Sequence, residues 1–334
     1  MNESALPRFS VVMPNRNGSA SVAEALEAVL AAGGPEIEVI VVDDASTDDS
    51  RRIVSNYPVR LISLEAGGGA APARNRGAAA ATGNVLVFID NDVVIPPDTF
   101  AIFTEHFRRP SAAGVIGLLR PVTRFRNLCS QYKNYYMHHT YMRLPERVSV
   151  FYTSLAAVRS RVFAECGGFD EAYRSATIED LEFGIRLVKA GCDLVIDKRL
   201  QVDHIRHYNL KTLLKTAFRR SSGSTKIALR DRLASRKNSY VTTSRAFLGG
   251  IALVFLAAAA LLPAVIFSSW IGGAVAGFLA LAAVAGNFPF LLGLARHTRP
   301  AYFPAGALLL LADLFAHGCG NVYGVVSFWR GRRY

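Results

Sequence analysis

Short runs of Val, Ile and Leu recur through the first two hundred residues, at 9–13, 37–42, 59–64 and 85–89, each of strand length and bounded by Gly, Pro, Asn or Asp. Between the first two, residues 20–32 place apolar side chains at helical spacing, with Ser19 or Ser21 as cap and Gly33-Gly34 as the stop. Strand and helix in alternation predict an α/β domain whose largely parallel sheet is covered on both faces. Ligands of such sheets bind beyond the carboxyl ends of the strands. Acids stand there: Asp43-Asp44 after the second run, Asp90-Asn91-Asp92 after the fourth.

The pattern changes in the last third. Residues 246–269 and 271–295 carry no formal charge, and ~20 apolar residues suffice to cross a hydrocarbon core of ~30 Å. A third run, 302–329, is long enough but holds Asp313, His317 and Asn321, groups costly in lipid unless they face protein or water. Three crossings would leave Arg330, Arg332 and Arg333 on the far side, against the positive-inside tendency; two crossings and a re-entrant or interfacial third segment would keep them inside. Just before these runs, Leu210, Leu213, Leu214, Ala217 and Phe218 fall on one helical face with Asn209 as cap and Lys and Arg opposite, the pattern of a helix lying in a membrane interface.

Charge follows the same division. Residues 1–203 hold 22 Lys and Arg against 24 Asp and Glu, whereas 204–245 hold 11 against the single Asp231. A basic belt next to apolar spans points to a lipid surface rather than to nucleic acid. A composition 51% hydrophobic and 19% charged excludes a disordered chain, and four cysteines without a C-x-x-C pair exclude a disulfide scaffold and a zinc ribbon. Residues 1–8 lack the apolar core of a secretory signal, so the catalytic part is expected in the cytosol. The organisation expected is 1–203 catalytic, 204–245 basic, amphipathic and juxtamembrane, 246–329 a membrane domain of two to three hydrophobic segments, and 330–334 a basic tail.

Asp90-x-Asp92 at a strand end offers two carboxylates to one site. Mg²⁺ or Mn²⁺ takes one or two carboxylates when substrate phosphates complete its shell. Alone the pair is a weak signal, because Asp and Asn also favour turns. The constellation is stronger: Phe9-Ser-Val-Val-Met-Pro-Asn-Arg-Asn17, Val41-Val-Asp-Asp-Ala-Ser-Thr-Asp48, Ala73-Arg-Asn-Arg-Gly77, Thr82 through Asp92, Gly167-Gly-Phe-Asp-Glu171 and Glu179-Asp-Leu-Glu-Phe-Gly-Ile-Arg-Leu187 occur in that order. Over residues 8–210 the chain resembles glycosyltransferase family 2, inverting enzymes of GT-A fold that use nucleotide-sugar donors.

The resemblance implies a Rossmann-like, mixed and mostly parallel sheet followed by C-terminal transmembrane helices, and a role for each matching residue. Asp44 would accept from the nucleotide base, with Pro14 and Asn17 lining base and ribose. Arg74, of the A-R-N-x-G run, would reach the ribose and diphosphate with its planar fork. Asp90 and Asp92 match the D-x-D, Asp92 as the direct ligand of a divalent cation, Mg²⁺ or Mn²⁺, and His204 as a further contact. Asp180 matches the catalytic base, which takes the acceptor hydroxyl's proton in a single displacement. Glu179 and Glu182 would support it or the acceptor; read alone, these acids simply suit a helix N-terminus. Asp170 and Glu171 belong to the acceptor-side turn. Outside the resemblance, the place of Arg219 and Arg220 beside the apolar runs suits them to hold a lipid's phosphate or diphosphate.

No Q-x-x-R-W motif accompanies the apolar runs, so transfer of one sugar is expected rather than polymerisation. A phosphate acceptor is already ionised and needs no base, so Asp180 favours a hydroxyl on a lipid-linked glycan or glycolipid. The alternatives are transfer to a polyisoprenyl phosphate and a non-catalytic nucleotide-sugar-binding membrane protein. The resemblance places the chain in a bacterial inner membrane, with cell-envelope polysaccharide as the expected product.

Overall fold

The computed structural model describes residues 6–173, 178–234, 244–266, 268 and 270–332. Its strands are β1 (Phe9–Asn15), β2 (Glu38–Asp43), β3 (Arg60–Ser63), β4 (Val85–Phe88), β5 (Val93–Val94), β6 (Ala112–Leu119), β7 (Ala156–Arg159) and β8 (Asp193–His204). Its α-helices are α1 (Val22–Gly33), α2 (Ser50–Val54), α3 (Ala70–Ala80), α4 (Thr99–Phe107), α5 (Leu128–Met142), α6 (Ser160–Glu165), α7 (Glu179–Lys189), α8 (Leu210–Ala234), α9 (Arg245–Ile266), α10 (Trp270–Gly286), α11 (Phe288–His297) and α12 (Tyr302–Trp329). They form two compact units, the first of residues up to 120 with 141–205, the second of 121–140 with 206 onward.

In the first unit the strands order as β3-β2-β1-β4-β7-β6-β8-β5. The four expected strands pair in parallel, β1 with β2 and β4, and β2 with β3. β7 then runs antiparallel between β4 and β6, while β8 lies parallel to β6. The central strands are buried on both faces, which is why β1, β2 and β4 read as continuous apolar runs rather than alternating ones. The short β5 pairs antiparallel with β8, setting Val93 opposite His204. That register brings the end of β8 to the loop after β4.

Behind the loops packs an aromatic cluster, Phe88, Phe151, Phe163, Phe169 and Phe183, with ring centroids 4.9 to 6.1 Å apart. Phe183 belongs to α7, the helix opened by Glu179 and Asp180. Gly184 lets α7 approach the backbone of residues 149–151: a Cβ there would meet the Ser149 carbonyl oxygen at 2.8 Å and the Phe151 amide nitrogen more closely still. Aromatic packing on one residue and a bare backbone contact on the next fix how this helix presents its first turn.

The core of the second unit joins Tyr132 and Tyr135 of α5, Leu213 of α8, Phe247 of α9, Phe290, Leu291 and Leu294 of α11, and Leu309, Leu310 and Leu314 of α12. α8 begins at its expected cap: the Thr212 amide donates to Asn209 Oδ1 at 2.9 Å, and the Asn209 amide donates to Thr212 Oγ1 at 3.0 Å. The helix runs on to Ala234, well past residue 220. Of the apolar face expected to meet lipid, Leu213 and Ala217 are buried in protein and Leu210 is exposed. α8 lies against α12 through Gly320 and Gly324, where a Cβ would crowd the carbonyl oxygens of Phe218 and Ser222. By length and composition α9 and α12 can each cross a membrane, and a third span is added if α10 and α11, bent by 60°, count as one.

Candidate active site

The carboxyl ends of β1, β2 and β4 converge through side-chain amides. Asn15 Nδ2 donates to Asp43 Oδ1 at 2.8 Å and to Ser50 Oγ at 3.0 Å, while its Oδ1 accepts from Asn91 Nδ2 at 2.6 Å. A Cβ on Gly18 would collide with these two asparagines, so the turn after β1 needs glycine there. Asn17 sits in the left-handed region at φ 52°, a conformation Asn tolerates, and its Oδ1 accepts from the Thr47 amide at 2.8 Å. Pro14, next to last in β1, is half-buried.

Asp44 is almost fully buried, and its carboxylate accepts from the Gly68 and Gly69 amides at 2.7 and 3.0 Å and from Arg16 Nη1 at 3.0 Å. Asp44 therefore anchors the glycine loop that opens α3, with the half-exposed Arg16 lying across it.

Arg74, buried on α3, donates from Nη2 to Asp90 Oδ1 at 2.8 Å and from Nη1 to Glu179 Oε1 at 2.7 Å. One guanidinium thus spans from the first acid of the D-x-D to the first acid of the E-D pair. Its plane faces the Phe169 ring at 5.6 Å, and its Nε is buried without a hydrogen-bond partner among the described residues. The fork expected to reach a ribose or diphosphate is engaged by two protein carboxylates. Burial holds the Asp90 carboxyl above the usual carboxylate range despite Arg74, which pulls it down. Ser154 Oγ donates to Asp90 Oδ2 at 3.2 Å.

Asp92 and His204 stand together, Oδ1 to Nε2 at 3.4 Å, and the Ile205 amide donates to the Asp92 carbonyl at 2.7 Å. Among the described residues no three His, Cys, Asp or Glu side chains gather closely enough to cage a metal ion. A carboxylate oxygen and an imidazole nitrogen are donor types that suit a Mg²⁺ or Mn²⁺ ion taking its other ligands from phosphates and water.

On α7, Glu179 and Asp180 are both buried. Glu179 accepts from the Ile178 amide at 3.1 Å as well as from Arg74, and Asp180 Oδ1 accepts from the Leu181 amide at 2.8 Å. Glu182 faces the other way: it receives Arg186 Nε and Nη2, and the same guanidinium donates to the Cys166 and Gly168 carbonyls, the latter at 2.7 Å. Glu182 is thus tied to the Gly167-Gly168 turn through Arg186. Asn75, beside Arg74, clasps that turn. It takes the Phe169 amide at 2.9 Å and gives to the Phe169 carbonyl and Glu171 Oε1, both at 2.8 Å. Asp170 Oδ1 accepts from the Ala172 amide at 3.0 Å.

The first unit thus collects Pro14, Asn17, Asp44, Arg74, Asp90, Asp92, Asp170, Glu171, Glu179, Asp180, Glu182 and His204. Arg219, exposed, and Arg220, half-buried, belong to α8 in the second unit. Asn15, Asn75, Asn91 and Ser154 were given no role from the sequence; the first three lie within the quoted motifs, while Ser154 lies in a stretch without one.

Residues 10–167 match the family model described as Glycosyl transferase family 2. The chain is 36% identical over 112 residues to the succinoglycan biosynthesis protein ExoO of Rhizobium meliloti, covering 33% of this chain and 31% of that one. An uncharacterized glycosyltransferase of Nostoc sp. is 34% identical over 114 residues, covering 33% and 35%. These alignments span about a third of the relatives' length. In fold the chain is similar to the mannosyltransferase PcManGT of Pyrobaculum calidifontis, solved with GDP-Man and Mn²⁺, with a TM-score of 0.59 at 20% identity over 96% of this chain and 88% of the other. The mixed, mostly parallel sheet is of the GT-A class.

Proposed function

We propose that the chain is an inverting glycosyltransferase, moving one hexose from a nucleotide-diphosphate sugar to a hydroxyl of a lipid-linked glycan or glycolipid at a membrane. The observation that carries the reading is the Arg74 bridge. It ties the first acid of the D-x-D to the first acid of the E-D pair, which supports a reading in which groups for a leaving diphosphate and a carboxylate for a proton serve one site. The match of residues 10–167 to the family model supports the donor class.

In this reading Asp180 takes the proton of the acceptor hydroxyl as its oxygen attacks the anomeric carbon, while the nucleoside diphosphate departs from the opposite face. Glu179 and Arg74 orient the turn bearing Asp180, and the loop of Asp170 and Glu171 lies on the acceptor side. Asp44, Asn17 and Pro14 line the nucleoside end. Asp92 and His204 would hold a Mg²⁺ or Mn²⁺ ion, whose charge would offset that gathering on the departing diphosphate. In the proposed organisation, 1–203 is catalytic and cytoplasmic, 204–245 juxtamembrane, and 246–329 the anchor.

Asp180→Asn removes the base and keeps the shape. Transfer is expected to fall by about 10²–10⁴-fold with donor affinity unchanged, read by nucleotide-diphosphate release and by donor titration. Unchanged turnover in this variant would reject Asp180 as base and favour an already ionised phosphate acceptor.

A further inference from the structure

The second unit carries 19 Lys and Arg against two acids, Asp231 and Asp313. One of those cations is buried. Lys133 of α5 is 7% exposed, with Nζ over the Tyr136 ring at 5.0 Å from its centroid. Ser130, Lys133 and Met137 recur at i, i+3 and i+7 and so share a face of α5. Each end of that face brings in another cation. At one end Tyr208 is tied to Ser130 and Asn127 by its backbone, and the Arg206 guanidinium lies over the Tyr208 ring at 5.5 Å. At the other, Arg220 Nη1 reaches Met137 Sδ at 3.9 Å.

Asp313, on α12, is engaged by Tyr132 Oη at 3.0 Å and by His317 Nδ1 at 3.3 Å. Burial, then Arg220 and Arg206, push the Lys133 ammonium down to about 8, with Asp313 opposing in part. A buried cation flanked by two more of its own sign is a costly arrangement unless an anion joins it.

We propose that Lys133, Arg206 and Arg220 form a binding site for a phosphate or diphosphate group carried by a lipid. Two guanidinium forks and an ammonium suit the several oxygens of such a group. The assignment to a lipid comes from α12, which supplies Asp313 and His317 to this cluster and is long and apolar enough to cross a membrane. The site deepens the reading above by naming the anionic part of the acceptor, and as an acceptor site it rests on that reading.

The experiment uses the full-length protein in phosphatidylcholine nanodiscs doped with a long-chain polyprenyl diphosphate, with the corresponding uncharged polyprenol as control and inorganic diphosphate as soluble competitor. Lys133→Gln and Arg220→Gln are each expected to weaken diphosphate-lipid binding by about tenfold or more, and Lys133→Arg to retain most of it. Lys133→Met, an apolar replacement for a buried position, serves where the glutamine variant does not fold. Wild-type affinity in both the Lys133 and Arg220 variants overturns the site, and so does equal binding of the polyprenol. Displacement by inorganic diphosphate at the same concentration as by the lipid overturns its assignment to a lipid ligand. Nucleotide-sugar turnover is followed on the same samples: lipid bound without turnover counts against the transferase reading and leaves this site standing.

Discussion

Arg74 is held by two carboxylates and an aromatic face, and it touches both motifs on which the proposed chemistry depends. Replacing it by Gln leaves the buried Glu179 and the half-buried Asp90 without their shared cation, and losing one partner of a fully buried pair costs about 3–5 kcal/mol. Chemical denaturation of Arg74→Gln is expected to show that loss, and Arg74→Lys to recover only part of it, since an ammonium cannot donate along two fixed directions. A role confined to donor contact would instead leave stability untouched. At this scale the sequence shows residue types and their order: D-x-D, A-R-N and E-D can all be named from it. It does not show what each side chain holds. Arg74 was expected at the diphosphate because a fork suits phosphate, but a fork suits carboxylates equally, and only folding brings residue 179 to residue 74.

The helix α7 shows how an element delivers a site. Its first turn carries Glu179 and Asp180, and its next turn uses Phe183 and Gly184 to lock the helix against an aromatic cluster and a bare stretch of backbone. Gly184→Ala is expected to lower stability by about 1–3 kcal/mol and to depress turnover with it, both measured on the same preparation. β1, β2 and β4 were legible because each is short, apolar and ends at or near Asp or Asn, and β3 because its run at 59–64 is mostly apolar. β6, β7 and β8 were not: antiparallel insertion into a parallel sheet depends on pairing between distant segments, and their sequences carry no hairpin signal to announce it. The apolar face of α8 was legible by periodicity, but periodicity reports that a face is covered and not by what. Leu213 and Ala217 are covered by protein.

Across the whole molecule the charges are sorted. The unit built on the sheet holds 19 Lys and Arg against 24 Asp and Glu, and the other unit holds its 19 against two acids. That second unit also claims residues 121–140 from the middle of the chain, with Tyr132 and Tyr135 seated in its core beside Phe290 and Leu310. Dissection of the protein follows a different line from the one hydropathy suggests. A fragment ending near residue 205, the natural choice for a water-soluble enzyme, would keep α5 and discard the helices that bury its tyrosines. Size-exclusion chromatography of that fragment is expected to show aggregates, whereas replacing 121–140 by a short polar linker should yield a monomer. Solubility here would be recovered by excision as well as by truncation.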